Sequence, residues 1–283
     1  MKKIMMWILS CLLLSAWSLP AAAATTVVIK GSTTVLPIAQ VALEAYMKAH
    51  PGVNISLSGG GSGEGIKALI DRSTDIANSS REIKDKEAAS AREKGVEPVE
   101  HIVAIDAIVP IVNPRNKVTG LTIDQLSQIY QGKITNWKEV GGDNMPIVVV
   151  SRDSSSGTYE SWGHLVLNGA KVTPKAQLQA SSGAVVQTVS KNRFAIGYIG
   201  LGYLNRSVKG LTVNGIVASA QTVLAKTYPV ARPLYMYTNG KPKGEVAGFI
   251  SFVLSPAGQK LVEKEGFVPL QVADKKGSKK GRK

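Results

Sequence analysis

Cysteine is almost missing: the 283 residues contain one, Cys11. It lies in the apolar opening segment, so a chain processed beyond it carries no thiol, and disulfides and cysteine metal sites are excluded. Histidine occurs only as His50, His101 and His164. None is spaced for a metal, so neither a metal nor a cofactor is expected. Aromatic residues make up 6% of the chain and are scattered, unlike the ring-studded basic stripe of a nucleic-acid surface. Past the first segment no apolar run is long enough to span a membrane. Acidic side chains are also scarce, 20 against 34 Lys and Arg, for a net charge of +14. Such an excess suits the attraction of small anions or of an anionic surface.

Lys2 and Lys3, the apolar stretch Ile4 to Leu19, and Ala21 to Ala24 predict a secretory signal peptide over residues 1–24. A mature chain starting near Thr25 is then expected in the periplasm. Residues 271–283 hold six basic side chains and read as a solvated, disordered tail. With no disulfide, what lies between must be held by its core alone, as one large domain or two smaller ones.

Short apolar strands alternate with helical patterns along that stretch. Thr26 to Ile29, Val53 to Ser58, Asp75 to Ala77, Ile147 to Val150 and Phe194 to Ile199 read as strands. Ile102 to Val112 and Val230 to Tyr237 read as longer ones, carrying the chain between two regions. Helices are expected over Ile38 to Tyr46, around Ile66 to Ile70, over Lys84 to Lys94 and Leu121 to Tyr130, from Ser182, and over Phe249 to Glu263. This order implies an α/β fold with mostly parallel sheets, in which ligands sit at the carboxyl ends of strands.

Four of those strand-to-helix junctions are rich in Ser, Thr and Gly: Gly31 to Thr34, Gly59 to Gly63, Asn78 to Arg81, and Arg152 to Thr158. The first N–H groups of a helix have no intrahelical partner and carry partial positive charge, so each junction can seat an anion. Arg152 adds a planar fork of donors matched to a phosphate edge. Ordinary helix capping explains such Ser and Thr equally well. The glycines from Gly59 fit neither a nucleotide phosphate loop nor a dinucleotide fingerprint. No hydrolase elbow occurs, since Glu64 stands where its last glycine belongs. Asp106, alone in an apolar run, reads as a satisfied structural carboxylate rather than a catalytic base, and His164 as a helical residue able to reach a cleft.

Taken in order, GSTTVLPIAQ from Gly31, GGGSGEGIKAL from Gly59, STDIANSSREI from Ser73, LTIDQLSQIYQGKITNWKEVGG from Leu121, SRDSSSGTYESW from Ser151 and FAIGYIGLGYL from Phe194 resemble the periplasmic phosphate-binding proteins of ABC phosphate transporters, in their short bacterial form. The resemblance covers nearly all of the mature chain. It implies a type II periplasmic-binding-protein fold of two lobes, each a mostly parallel sheet flanked by helices, joined by a two-strand hinge. The expected lobes are residues 25–112 with 230–270, and residues 113–229.

The resemblance also implies the ligand set: Ser32, Thr33, Thr34 and Val35 at the first junction, Ser62 at the second, and Arg152, Ser156, Gly157 and Thr158 at the fourth. Well-known members place an aspartate where this chain has Ser80, to accept the proton of hydrogen phosphate. Ser80 can donate or accept, Arg81 is expected as a second cation for the anion, and Asp153 or Asp106 could supply the missing carboxylate. The implied function is capture of inorganic phosphate by a monomer and delivery to ABC permease subunits at the inner membrane, with no catalysis. The alternatives are another oxyanion (sulfate, molybdate or tungstate), a secreted phosphoester hydrolase using Ser62 or Ser156, and an exported adhesion or signalling protein.

Overall fold

The structure, a computed structural model, describes residues 25–270. The expected signal peptide with Cys11 and the basic tail lie outside the described residues. The first part alternates β1 (Thr25–Gly31), α1 (Leu36–Ala49), β2 (Val53–Gly59), α2 (Ser62–Ile70), β3 (Ile76–Ser79) and α3 (Asp85–Glu93). β1 pairs in parallel with β2 on one side and β3 on the other. The carboxyl ends of all three strands therefore face one way, as do the helix starts that follow them.

β4 (Pro98–Val112) is 15 residues long. It leads into β5 (Gly120–Leu121), α4 (Ile123–Tyr130), β6 (Val148–Arg152), α5 (Gly157–Leu165), β7 (Gln177–Gln179), α6 (Ser182–Lys191) and β8 (Ala195–Gly200). β9 (Lys209–Gly210), β10 (Thr212–Val213) and α7 (Ala220–Leu224) precede β11 (Ala231–Asn239), and α8 (Gly244–Leu254) and α9 (Pro256–Lys264) follow it. The long sheet runs β2-β1-β3-β11-β4-β8-β6-β7, with β9 beside β4 and β5–β10 a separate ribbon.

The antiparallel pairings of the long sheet all involve the two long strands. β11 runs antiparallel to β3 and to β4, and β4 antiparallel to β8 and β9, while β6 is parallel to both β7 and β8. β4 changes partners midway: Pro98 to Ala107 face β11, and Ile108 to Val112 face β8. That change falls several residues before the end of the apolar run, because one continuous strand, mostly buried from Val103 onward, serves both halves and its hydrophobicity does not mark the handover.

The core divides at the same place. One cluster packs Val27, Ile29 and Ile38 with Val103, Ala104, Leu234 and Phe249, and another packs Ile108, Ile111, Trp137, Trp162, Val185 and Ile196. In the second, the Trp162 ring stacks on Tyr198 with centroids 4.4 Å apart and planes 6° from parallel. Stacking of that kind adds about 0.5–1.5 kcal/mol beyond burial. The helix expected over Phe249 to Glu263 is two helices. Ser255 ends α8 and caps α9 by accepting from the Gly258 N–H, with Pro256 in the first turn, where its missing N–H costs nothing.

Candidate functional site

The site forms where the ends of β1, β3 and β6 meet the starts of α1, α2, α5 and α6. Val35 and Gly61 precede the first residues of α1 and α2, and neither gives its helix a side-chain cap. The leading N–H groups of Leu36, Ser62 and Glu64 are therefore available to a ligand, while that of Gly63 donates to the Ser155 carbonyl at 2.9 Å and Pro37 has none. α5 and α6 are capped, by Ser156 accepting from the Tyr159 N–H and Ser181 from the Ala184 N–H. Gly157 lets the two halves approach: a Cβ there would lie 2.3 Å from Ser62 Oγ and 2.7 Å from Ser80 Oγ. Gly61 is held at φ +115°, a conformation that favours glycine, with Ser155 against it.

Hydroxyls from all four predicted junctions converge here. Thr34 Oγ1 lies 2.8 Å from Thr158 Oγ1 and 3.5 Å from Ser182 Oγ, and Ser62 Oγ lies 3.4 Å from Ser80 Oγ. Most of them already accept a protein N–H. Ser32 Oγ accepts from the Thr34 amide at 3.2 Å, Ser62 Oγ from the Ser80 amide at 3.0 Å, and Thr158 Oγ1 from Arg232 Nη2 at 2.9 Å. Thr33 Oγ1 accepts from Arg152 Nη2 and from the Ser182 amide, each at 3.3 Å. A hydroxyl that accepts an N–H keeps its own proton to give, which suits a ligand made of oxygen acceptors. Thr34 and Ser80 are the two whose hydroxyls take no N–H among the described residues.

Arg152 is 2% exposed, and among the described residues it makes no ion pair. Its outer edge is fixed by carbonyls, with Nε donating to Gln179 O at 2.9 Å and Nη2 to Ala180 O at 3.1 Å. The inner edge meets only hydroxyls, Ser182 Oγ and Thr33 Oγ1, both at 3.3 Å. Burial lowers its pKa from the usual guanidinium value; the charge of Asp153 opposes that shift and the charge of Arg232 adds to it. A buried cation without a counter-ion is costly; an anion between the hydroxyls would supply that partner.

The predicted ligand residues Ser32, Thr33, Thr34, Val35, Ser62, Ser80, Arg152, Ser156, Gly157 and Thr158 are brought together and buried. Arg81 is turned elsewhere. Its guanidinium donates to both oxygens of Glu87, at 2.8 Å each, and stands 3.0 Å from Glu160 Oε2. Burial works against its charge, but the two carboxylates outweigh it and raise its pKa. With its charge satisfied by Glu87 and Glu160, Arg81 is no free cation for an anion. Nor does a carboxylate replace the absent aspartate: Asp153 Oδ1 takes the N–H and O–H of Ser155, and Asp106 is paired with Arg232.

Two further residues bond to this cluster without belonging to the expected ligand set. Ser182 follows Ala180 and Ser181 at the start of α6, a fifth junction of the same kind that its small residues could have announced. Arg232 carries the other signal: a charge in an apolar strand, like Asp106, and the two strands set them opposite each other. Arg232 Nε and Nη2 reach Asp106 Oδ2 at 3.3 and 3.0 Å, and Asp106 Oδ1 also accepts from the Leu201 amide. Burial raises the Asp106 pKa and lowers that of Arg232, each opposed by the partner's charge.

A family model described as a PBP superfamily domain matches residues 18–257. The chain is 37% identical over 255 residues to the phosphate-binding protein PstS of Borreliella burgdorferi, covering 86% of this chain and 89% of that protein. It is 36% identical over 259 residues to the protein SphX of Synechococcus elongatus, covering 85% and 76%. Among solved structures, one with bound phosphate, assigned to a phosphate ABC transporter of Clostridium perfringens as its substrate-binding protein, is 37% identical. The superposition gives a TM-score of 0.81 and covers 87% of this chain and all of that one. Among the described residues no helix is long and apolar enough to cross a membrane, and no group of His, Cys, Asp and Glu could hold a metal.

Proposed function

This chain belongs to the PBP superfamily and, within it, to the PstS-type phosphate-binding proteins, and from that premise we propose that it captures inorganic phosphate between two lobes and hands it to an ABC importer. The observation that carries the reading is Arg152, buried without a counter-ion and facing hydroxyls that have protons to give. The ligands are the Arg152 fork, the hydroxyls of Ser32, Thr33, Thr34, Ser62, Ser80, Ser156 and Ser182, and the amides at the starts of α1, α2 and α5, those of Gly157 and Thr158 among them. Ser80 is the place for the ligand's proton, since its hydroxyl takes no N–H and lies beside Ser62 Oγ.

The lobes turn about β4 and β11. Residues 25–107 with 231–270 move against residues 108–230, and the anion is enclosed when α5 meets the loops after β2 and β3. Contacts that fit the closed form include the Ser155 hydroxyl on the Gly60 carbonyl at 3.0 Å and Lys84 on Glu160 at 2.7 Å. The protein is exported, works as a monomer, and in its closed form docks on permease subunits. It performs no chemistry on its ligand: Ser62 and Ser156 accept backbone amides, and among the described residues neither is hydrogen-bonded to a histidine or carboxylate base.

Calorimetric titration of the protein with phosphate, followed by competition with sulfate, tests this. One-to-one binding at micromolar or lower dissociation constant, with sulfate much weaker, is the expected result. Sulfate binding as tightly as phosphate would move the assignment to another oxyanion. Turnover of an aryl phosphate would revive the hydrolase reading.

A further inference from the structure

Arg232 and Asp106 stand opposite each other on β11 and β4, 6% and 0% exposed. Asp106 takes two N–H groups of the guanidinium and cancels its charge. The remaining contacts go to the two halves of the site: Nη1 donates to the Ser80 carbonyl and Nη2 to Thr158 Oγ1, each at 2.9 Å. What Arg232 supplies is direction. With a guanidinium N–H on one lone pair, the Thr158 hydroxyl is polarised toward giving its proton. Its nearest acceptor is Thr34 Oγ1 at 2.8 Å. Thr34, accepting from Thr158, then has its own proton free for the anion. The order runs from Arg232 N–H to Thr158 O–H to Thr34 O–H to the ligand.

We propose that Arg232, held by Asp106, is a positioning residue that commits both Thr158 and Thr34 to donate, and so makes the site take the singly protonated phosphate dianion over the doubly protonated monoanion. The inference rests on the phosphate reading above. With both threonines donating, Ser80 is left to accept one ligand proton, and among the described residues of the site no second hydroxyl free of an N–H remains for another.

Other titratable groups surround the pair. Arg152 stands near on β6, Tyr198 on β8, Tyr203 beyond it, and Tyr228 before β11. Burial pushes Tyr198 and Tyr203 up to about 12 and raises Tyr228 as well, so none of these ionises near neutrality. On its other side Arg232 lines a groove of about 800 Å3 with Arg81, Glu160 and His164. Glu82, Lys84, Asp85 and Tyr235 complete the charged and phenolic lining. His164 is the group there that needs a control.

The test is phosphate calorimetry at about pH 8 and about pH 5.5, a span across which phosphate gains its second proton. The wild-type protein, Arg232→Lys and His164→Gln are compared. Wild-type affinity per total phosphate is expected to fall about tenfold or more toward the acidic end as the dianion disappears. An ammonium cannot reach Asp106, Ser80 and Thr158 together, so in Arg232→Lys affinity is lower throughout and the acidic fall shrinks below about threefold. His164→Gln should follow the wild type. An unchanged pH dependence in Arg232→Lys, or an equal loss at both pH values, overturns the proposal, as does a flattened profile in His164→Gln. If Arg232→Lys does not fold, the double variant Arg232→Met, Asp106→Leu leaves no unpaired buried charge and makes the same test. A wild-type protein that binds no phosphate at either pH would instead overturn the underlying assignment.

Discussion

Replacing Arg152 by methionine keeps most of the side chain's volume and removes its charge and its five N–H groups. The inner edge of the guanidinium, now 3.3 Å from Ser182 Oγ and Thr33 Oγ1, is the edge that turns to an anion. Two charge-assisted hydrogen bonds at about 1.5–3 kcal/mol each come to roughly 3–6 kcal/mol, and each ~1.4 kcal/mol is tenfold. Phosphate affinity should therefore drop by about a hundredfold to ten-thousandfold. Thermal shift reads the same quantity by linkage. At a phosphate concentration about 1,000 times the wild-type dissociation constant, ligand stabilises the folded protein by about 4.1 kcal/mol. If the constant rises about 1,000-fold, that gain shrinks to roughly 0.4 kcal/mol. The Gln179 and Ala180 carbonyls lose their donors too, so the unliganded protein serves as each variant's own baseline. An Arg152→Met protein that keeps wild-type affinity and its full phosphate-dependent shift would refute the assignment of Arg152 as the anion's partner.

Gly157→Ala puts a methyl 2.3 Å from Ser62 Oγ and should lower phosphate affinity by at least about tenfold. Solution scattering should find it expanded with ligand, and a ligand-bound form as compact as the wild type would count against the close approach. Glu160→Gln removes the pairing of α5 with Arg81 and Lys84. Because that site is partly exposed, about 1 kcal/mol and a roughly fivefold faster phosphate release are expected, read by stopped-flow through Trp162 fluorescence; an unchanged rate would contradict a closing role. The raised pKa of about 12 at Tyr198 and Tyr203 predicts stability that is whole below the ordinary value of 10 and lost as pH rises through about 12. Denaturant midpoints across that span check it, and a flat profile would mean that these phenols ionise freely in the folded protein.

How far the site could be foreseen follows from where its chemistry lies. Ser and Thr ahead of a helix are visible as local patterns, so the residues around Thr34, Ser62, Ser80 and Ser156 stand out in the sequence alone. Ser182 has the same local signature in a weaker setting. Arg232 and Asp106 do not, because each matters only through a partner 126 residues away, and that pairing is set by strand register. Arg81 misled for a related reason. Its place in the third junction is right, but Glu87 on the next helix and Glu160 across the cleft take its charge. The same limit held for the fold: alternation showed strands and helices, while the partner change within β4 at Ala107 and Ile108 is a tertiary fact.

The central claim is that one small volume collects these donors around a single tetrahedral ion. A crystal structure of the protein grown with phosphate tests it most directly. Tetrahedral density should touch the Arg152 guanidinium and the hydroxyls of Thr34, Ser62 and Ser80 at once, with one phosphate oxygen on Ser80. Density at another place, or a phosphate bound with Arg152 and those hydroxyls turned from it, would contradict the account.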